Sequence, residues 1–271
     1  MSLATQKPER GRLSQAANLG IDVGGTSIKA AVVGQDGLLL SQRLEVPTPQ
    51  PATPETVGRT LQRLVSPIDT DGRVGIALPA PIVNSTVLSP ANIDAQWIGI
   101  NGVDFLEGVL HRPVTLINDA DAAGVAESQL GAARGLDGLV LLLTLGTGIG
   151  SALLHKGQLI PNTELGMTPF RGGDTIEHYA APSAMKRDGI SEPEWARRFN
   201  EVIARLQLLL HPDLIILSGS ITVRWSELAH FIEPDAHVVP GQFRGDGGIV
   251  GASMAARRQG VGLSPQRGFL T

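Results

Sequence analysis

A repeated segment limits this chain's fold more than any other feature. Leu19 to Val33 reads LGIDVGGTSIKAAVV: an apolar strand, a glycine turn with a threonine, then a second strand carrying Lys29. LTLGTGIGSALLHKG, beginning at Leu143, aligns with IDVGGTSIKAAVVGQDG without a gap, Asp22 opposite Thr144 and Gly24 opposite Gly146. Neither copy is a GxGxxG that opens a helix, nor GxxxxGK[ST], so the dinucleotide and P-loop folds account for neither. One hairpin carried twice, in a chain alternating strand meanders with helices, predicts an α/β protein of two lobes.

The rest of the pattern fits around the two copies. Strands are expected over 18–24, 27–33 and 38–46. A helix opens at Thr53-Pro54-Glu55, where an N-cap, a proline and an acid coincide, and ends near Ser66. Short strands at 74–78 and 86–88, a helix over 102–110 and a strand over 114–117 follow, with a binding loop over 79–100. Asn118-Asp119 then starts an alanine-rich helix. Beyond the second hairpin come a helix over 174–187 and a long one from Ser191, where Ser191 and Glu194 read as a capping box. Trp195, Phe199, Val202, Ile203, Leu206, Leu209 and Leu210 form its core stripe. A strand over 214–217, the turn Ser218-Gly219-Ser220, a helix through Ile232, a strand over 237–239 and a small-residue helix near 248–257 complete the chain. The expected organisation is a flexible arm over 1–18, a first lobe over 19–118 and a second over 119–271, with the last helix, about 248–258, returning to the first lobe.

Charge and composition narrow the function. With 22 Lys+Arg against 26 Asp+Glu and no cysteine, the 271 residues present no basic footprint for nucleic acid, no disulfide framework and no thiolate metal site. The first 18 residues have neither an apolar leader nor the two helices of a helix-turn-helix, and no later run is apolar enough to span a bilayer. Neither nucleic acid nor membrane is expected as a partner, and the expected location is the cytoplasm.

Each motif has a plain reading beside a chemical one. A glycine at a strand-to-strand turn supplies φ > 0 for type I′ and II′ turns. Glycine also lets backbone N–H groups approach a phosphate, and threonine adds a hydroxyl donor. Gly24, Gly25, Thr26, Gly146, Thr147 and Gly148 would then form a two-sided phosphate clamp, with Lys29 as a point positive charge and Asp22 holding Mg²⁺ through water. Asn118-Asp119 reads either as a helix N-cap or as the place of a general base that takes a proton from a hydroxyl attacking a phosphoryl group.

DVGGTSIK (Asp22–Lys29), NDADAAGVAE (Asn118–Glu127), LTLGTGIGSAL (Leu143–Leu153), TELG (Thr163–Gly166) and GDGGIVGAS (Gly245–Ser253), in that order, resemble the ROK family of sugar kinases over about residues 18–258. NIDAQWIG (Asn92–Gly99) and PNTELG (Pro161–Gly166) are most similar to its bacterial polyphosphate/ATP glucokinases. The resemblance implies an actin-like, ribonuclease H-like ATPase duplication, two lobes about a central cleft, assembled as a homodimer. It implies phosphoryl transfer from polyphosphate, ATP or both to the 6-hydroxyl of glucose, with Mg²⁺. Asp119 becomes the catalytic base, and Asn92, Asn118, Asp119, Glu164 and Glu177 the sugar ligands. Carboxylates and amides suit adjacent hydroxyls, because each pairs with them and rejects analogues that leave it unpaired.

Two departures stand out. Met167 occupies the place of a family histidine that touches sugar and, in most members, binds structural zinc with three cysteines; with no cysteine here, no structural zinc is expected. Ser218-Gly219-Ser220 replaces a glycine-richer turn. The same resemblance admits a non-catalytic sugar-binding regulator, or a kinase for another hexose such as mannose or an N-acetylhexosamine. A polyphosphate donor would want a basic track, for which Lys29, Arg171, Lys186 and Arg187 are the candidates.

Overall fold

Two five-stranded sheets with one strand order carry the structure. The computed structural model describes residues 17–89, 93–232 and 237–258. In the first sheet, β1 (Asn18–Val23) pairs antiparallel with β2 (Ser27–Val33), which pairs antiparallel with β3 (Leu44–Pro47). After α1 (Pro54–Val65), β4 (Val74–Leu78) lies parallel to β1. A small hairpin, β5 (Ile82–Val83) and β6 (Thr86–Val87), and α2 (Gly102–Leu110) lead to β7 (Val114–Asn118), parallel to β4.

α3 (Asp119–Gln129) crosses to the second sheet, where β8 (Leu139–Leu145), β9 (Ile149–His155) and β10 (Gln158–Ile160) repeat the meander. Then come α4 (Ile176–Ala180), α5 (Ser183–Asp188) and α6 (Glu192–Leu210), followed by β11 (Leu214–Ser218), parallel to β8. α7 (Trp225–Leu228), β12 (Val238–Pro240), parallel to β11, and α8 (Gly247–Arg258) end the described chain. The strand orders are β3-β2-β1-β4-β7 and β10-β9-β8-β11-β12.

The layers follow from residue size. α1 and α2 bury Val57, Leu61 and Leu106, with Trp97, on the outer face of the first sheet, and α6 buries Trp195, Phe199, Val202, Ile203 and Leu206 on the second. Between the sheets lie α3 and α8, built of small residues. A Cβ at Gly20 would strike the Ile249 carbonyl and one at Gly75 the Ala252 carbonyl, so α8 rests on the backbone of β1 and β4. α3 packs against α8 and against β9, where a Cβ at Gly124 would lie 2.8 Å from that of Ala152. This close-packed seam leaves the ends of β1 and β8 facing one another across a cleft.

Several local expectations change. The arm expected over 1–18 lies outside the described residues as far as residue 16, but Ala17 and Asn18 are buried, and Asn18 bonds both the Arg73 N–H (3.0 Å) and the Ser253 carbonyl (3.2 Å). The strand expected over 38–46 shrinks to Leu44–Pro47 plus a single bridge at Leu39, since the Ser41 hydroxyl intercepts the Val32 N–H (3.0 Å). Pro182 splits the helix expected over 174–187 into α4 and α5. Ser191 takes the N-cap place of α6, but its side chain makes no cap bond, so no capping box forms. Leu209, 53% exposed, drops out of the core stripe. The helix through Ile232 is a single α-turn flanked by 3₁₀ turns. No described helix is long and apolar enough to cross a membrane.

Candidate active site

The repeated hairpins end at the cleft, and they are not in the gapless register of the sequence. Val23 pairs with Ile28 across a turn of Gly24 to Ser27, whereas Leu145 pairs with Ile149 across Gly146 to Gly148. The second turn is one residue shorter, so Lys29 corresponds in space to Gly150, which pairs with Thr144, and not to Ser151. The Gly24 N–H bonds the Ser27 carbonyl (3.0 Å), while the Gly146 N–H bonds that of Gly148 (3.1 Å).

None of Gly24, Gly25, Gly146 and Gly148 has a left-handed φ, so turn conformation does not explain these glycines. A Cβ at Gly146 would meet nothing within 4 Å, and Gly146 lines the cleft; bareness there serves whatever approaches from the cleft. Thr26 and Thr147 stand exposed at the two turn tips. Among the described residues, no partner is recorded for the N–H groups of Gly25, Thr26, Thr147 and Gly148. Threonine and serine hydroxyls brace the turns from behind, Thr48 on the Gly24 carbonyl (2.6 Å) and Ser183 on that of Thr147 (2.7 Å).

A cavity of about 510 Å³ joins both turns. It is lined by Asp22, Lys29, Asn118, Asp119, Glu164 and Glu177 as well as the turn residues; of the residues expected to bind phosphate, metal or sugar or to act as base, Asn92 alone is not placed there, and it lies outside the described residues. Asp22 meets Lys29 at 3.6 Å, and Lys29 pairs across the strand with Glu45, making a charged row on the cleft side of the first sheet. Burial raises the Asp22 carboxyl above its ordinary range, with Lys29 opposing the shift.

Asn118 and Asp119 sit at the β7–α3 junction. Asn118 is the N-cap, its Oδ1 accepting the Asp121 N–H at 3.0 Å. The plain reading of that residue therefore holds, and it also aims the next residue at the cleft. Asp119 Oδ1 accepts the Ala120 N–H at 2.8 Å, which leaves Oδ2 without a bonded partner in the described residues. Burial first, then the charge of Asp22, push its carboxyl up to about 7.

Glu164 and Glu177 close the other end, burial and then the Glu177 charge raising Glu164. The flanks of Glu164 are pinned. The Ser151 hydroxyl donates to the Thr163 carbonyl (2.6 Å) and accepts the Leu165 N–H (2.9 Å), and buried Asp121 accepts the Asn162 N–H (2.8 Å). Asn162 reaches the first half of the chain, bonding both the N–H (2.8 Å) and the carbonyl (2.9 Å) of Ile82.

Sequence reasoning missed Arg43, Glu45, Val223 and Arg244, all of which line the cleft. Arg43 is held by Asp246 at 2.8 Å, and no local pattern announces a pair so distant in the chain. Arg171, Lys186 and Arg187 do not line it; Arg171 pairs with Glu201 (3.0 Å) and Arg187 with Asp188 (2.7 Å). Met167 stands in a 3₁₀ turn, 51% exposed and away from the lining.

Comparison with known proteins finds relatives that cover nearly the whole chain. The chain is 40% identical over 248 residues to polyphosphate glucokinase of Mycobacterium tuberculosis (strain H37Rv), covering 91% of this chain and 93% of that one. Its structure superposes on the inorganic polyphosphate/ATP-glucomannokinase of Arthrobacter sp. strain KM with a TM-score of 0.87 at 39% identity, covering 90% of this chain and 99% of that one. A ROK family glucokinase from Streptomyces griseus, solved with glucose and AMPPNP, gives 0.78 at 26% identity over 89% and 99% of the two chains. The doubled strand order is thus the actin-like ATPase fold. Residues 18–169 match the model of the ROK family, and the chain belongs to that family.

Proposed function

We propose that this chain is a glucokinase that moves a phosphoryl group from polyphosphate, ATP or both to the 6-hydroxyl of glucose, with Asp119 as general base. One observation carries the reading: a carboxylate whose proton affinity burial has raised to about 7 lies in one cleft with two exposed Gly/Thr turns. A base of that strength at neutral pH has both the charge and the driving force to accept a hydroxyl proton. Asp119 takes the proton of the 6-hydroxyl, the freed oxygen attacks the terminal phosphorus, and the bond to the bridging oxygen breaks. ADP, or a polyphosphate one unit shorter, leaves.

Gly25, Thr26, Thr147 and Gly148 offer the donor phosphates N–H groups from two sides, and Lys29 a positive charge. Asn118, Glu164 and Glu177 take sugar hydroxyls, Asn92 with them by family resemblance. The residues fit Mg²⁺: Asp22 is a desolvated hard-oxygen ligand beside Asp119, and a single carboxylate suits a cation held mostly by water and phosphate oxygens. Bound there, Mg²⁺ supplies charge neutralisation for the donor phosphates. The two sheets serve as the cores of two lobes, 19–118 and 119–271, with α8 returning to the first; closure between them excludes water from the transfer.

The test is glucose-dependent phosphoryl transfer with Mg²⁺, using ATP and polyphosphate in parallel, with Asp119→Asn as control. Transfer from at least one donor, lost in the variant, is expected. Glucose binding without transfer from either donor would favour a sugar-binding regulator, and turnover retained in Asp119→Asn would remove that residue as the base.

A further inference from the structure

Glu177 lies at the acidic end of the cleft, against the second glycine turn. It lies in the first turn of α4, after the N-cap Thr175 whose hydroxyl accepts the His178 N–H at 3.0 Å. Its Oε2 accepts the Ile149 N–H at 2.8 Å, immediately after the second glycine turn. The contact is tight enough that a Cβ on Gly148 would collide with that oxygen. Gly148 is therefore glycine for the sake of Glu177, since its φ is not left-handed. The other oxygen, Oε1, has no hydrogen-bond partner among the described residues and is not sealed from solvent, and Glu177 lines the cleft beside Glu164.

Among the described residues the first turn has no such brace: Thr48 bonds both sides of the turn, through its hydroxyl to the Gly24 carbonyl (2.6 Å) and through its N–H to the Thr26 carbonyl (2.9 Å), and no described carboxylate takes part. A side chain that a sugar hydroxyl would pull upon thus holds only the second turn.

We propose that Glu177 couples the two substrates: Oε1 takes a sugar hydroxyl while Oε2 fixes the second phosphate turn, so each substrate orders the site of the other. The proposal rests on the glucokinase reading and adds a thermodynamic consequence to it. Linkage requires the effect to be reciprocal, glucose tightening the donor by the factor by which the donor tightens glucose. A carboxylate held at both ends loses its freedom once, so the second ligand meets an ordered group.

The experiment is calorimetric titration of glucose into the full chain with Mg²⁺, with and without saturating AMPPNP or tripolyphosphate. Wild type, Gly148→Ala and Glu177→Asp are compared. The alanine displaces the carboxylate from the turn; the shortened acid cannot span turn and sugar together, and being partly exposed on a short helix it leaves the fold intact, as the thermal midpoint will report. For wild type, glucose Kd is expected to fall by about fivefold or more when the donor site is filled. In both variants that ratio is expected to drop below about twofold. A wild-type ratio near one, or a ratio kept in both variants, overturns the coupling while leaving the kinase reading in place. Failure of wild type to bind glucose under either condition overturns the kinase reading and the coupling together.

Discussion

The turn after β1 is one residue longer than the turn after β8, and the two differ still more in charge. On the first sheet the cleft-facing row is Asp22, Lys29 and Glu45; at the matching register the second sheet has Thr144 against Gly150. Among the described residues the first turn is braced by Thr48, the second by Glu177 from α4 and Ser183 from α5, helices without a described counterpart in the first half. Repetition accounts for two bare turns facing one cleft. Their divergence puts the charged row on one wall and leaves the other neutral at that register, with its turn tied through Glu177 to the acidic end of the cleft. Two charged walls would repel a polyanion or collapse on each other; one charged and one neutral wall leaves room for a metal-phosphate.

The largest effect expected is at the junction of the walls. Asp119→Asn should lower kcat by about 10²–10⁴-fold with glucose affinity within a few fold, measured by steady-state kinetics and calorimetry. In the wild type, kcat/KM should climb with pH to a plateau above about 7, the value to which burial raises Asp119, because only the deprotonated carboxylate accepts the proton.

Asp22→Thr converts the first wall to the second wall's residue. Activity should fall about 100-fold, with a much higher Mg²⁺ requirement read from a metal titration, whereas Thr144→Ala should cost less than about tenfold. Equal losses at the two positions would erase the asymmetry between walls. Gly146→Ala should raise donor KM about tenfold with an unchanged thermal midpoint, since the added methyl meets only cleft space.

Asp121 sharpens the comparison on the stability side. It is 1% exposed, its Oδ1 has no hydrogen-bond partner among the described residues, and burial raises its carboxyl to about 7. The folded state therefore holds a proton that the unfolded chain releases near pH 4. The stabilisation is full below that pH and is lost as pH rises toward 7. Asp121→Asn, which keeps an acceptor for the Asn162 N–H, should stabilise the protein by roughly 1–3 kcal/mol at pH 8 and flatten the dependence between pH 5 and 8, read by denaturant melts. Smallest of all, Met167→Ala should move glucose KM by less than about twofold, because the side chain stands outside the cleft lining.

Much of the site was legible because its residues are local signals. A glycine turn after an apolar strand, an Asn-Asp at a strand end and the order of the two around them are visible in one dimension. Arg43, Glu45 and Arg244 were not, for they reach the cleft through strand pairing and a contact with the turn before α8. The one-residue difference between the turns was hidden as well, since the repeats align without a gap and only cross-strand pairing counts the residues in each turn. The split at Pro182 was readable from proline chemistry; the loss of strand at Ser41 depended on a side chain bonding a neighbouring strand.

Periodicity, glycine placement and the order of motifs were enough, in the chain alone, to establish two α/β halves, a doubled hairpin and Asp119 as the base to test. These are properties of short segments, where backbone preference and side-chain alternation act over a few residues. Tertiary structure alone decided that Arg43 and Glu45 join the charged wall, how α8 seals the seam at Gly20 and Gly75, and that Glu177 leans on Gly148. Those depend on groups far apart in the chain whose approach is set by packing, and no local pattern encodes a distance across a cleft.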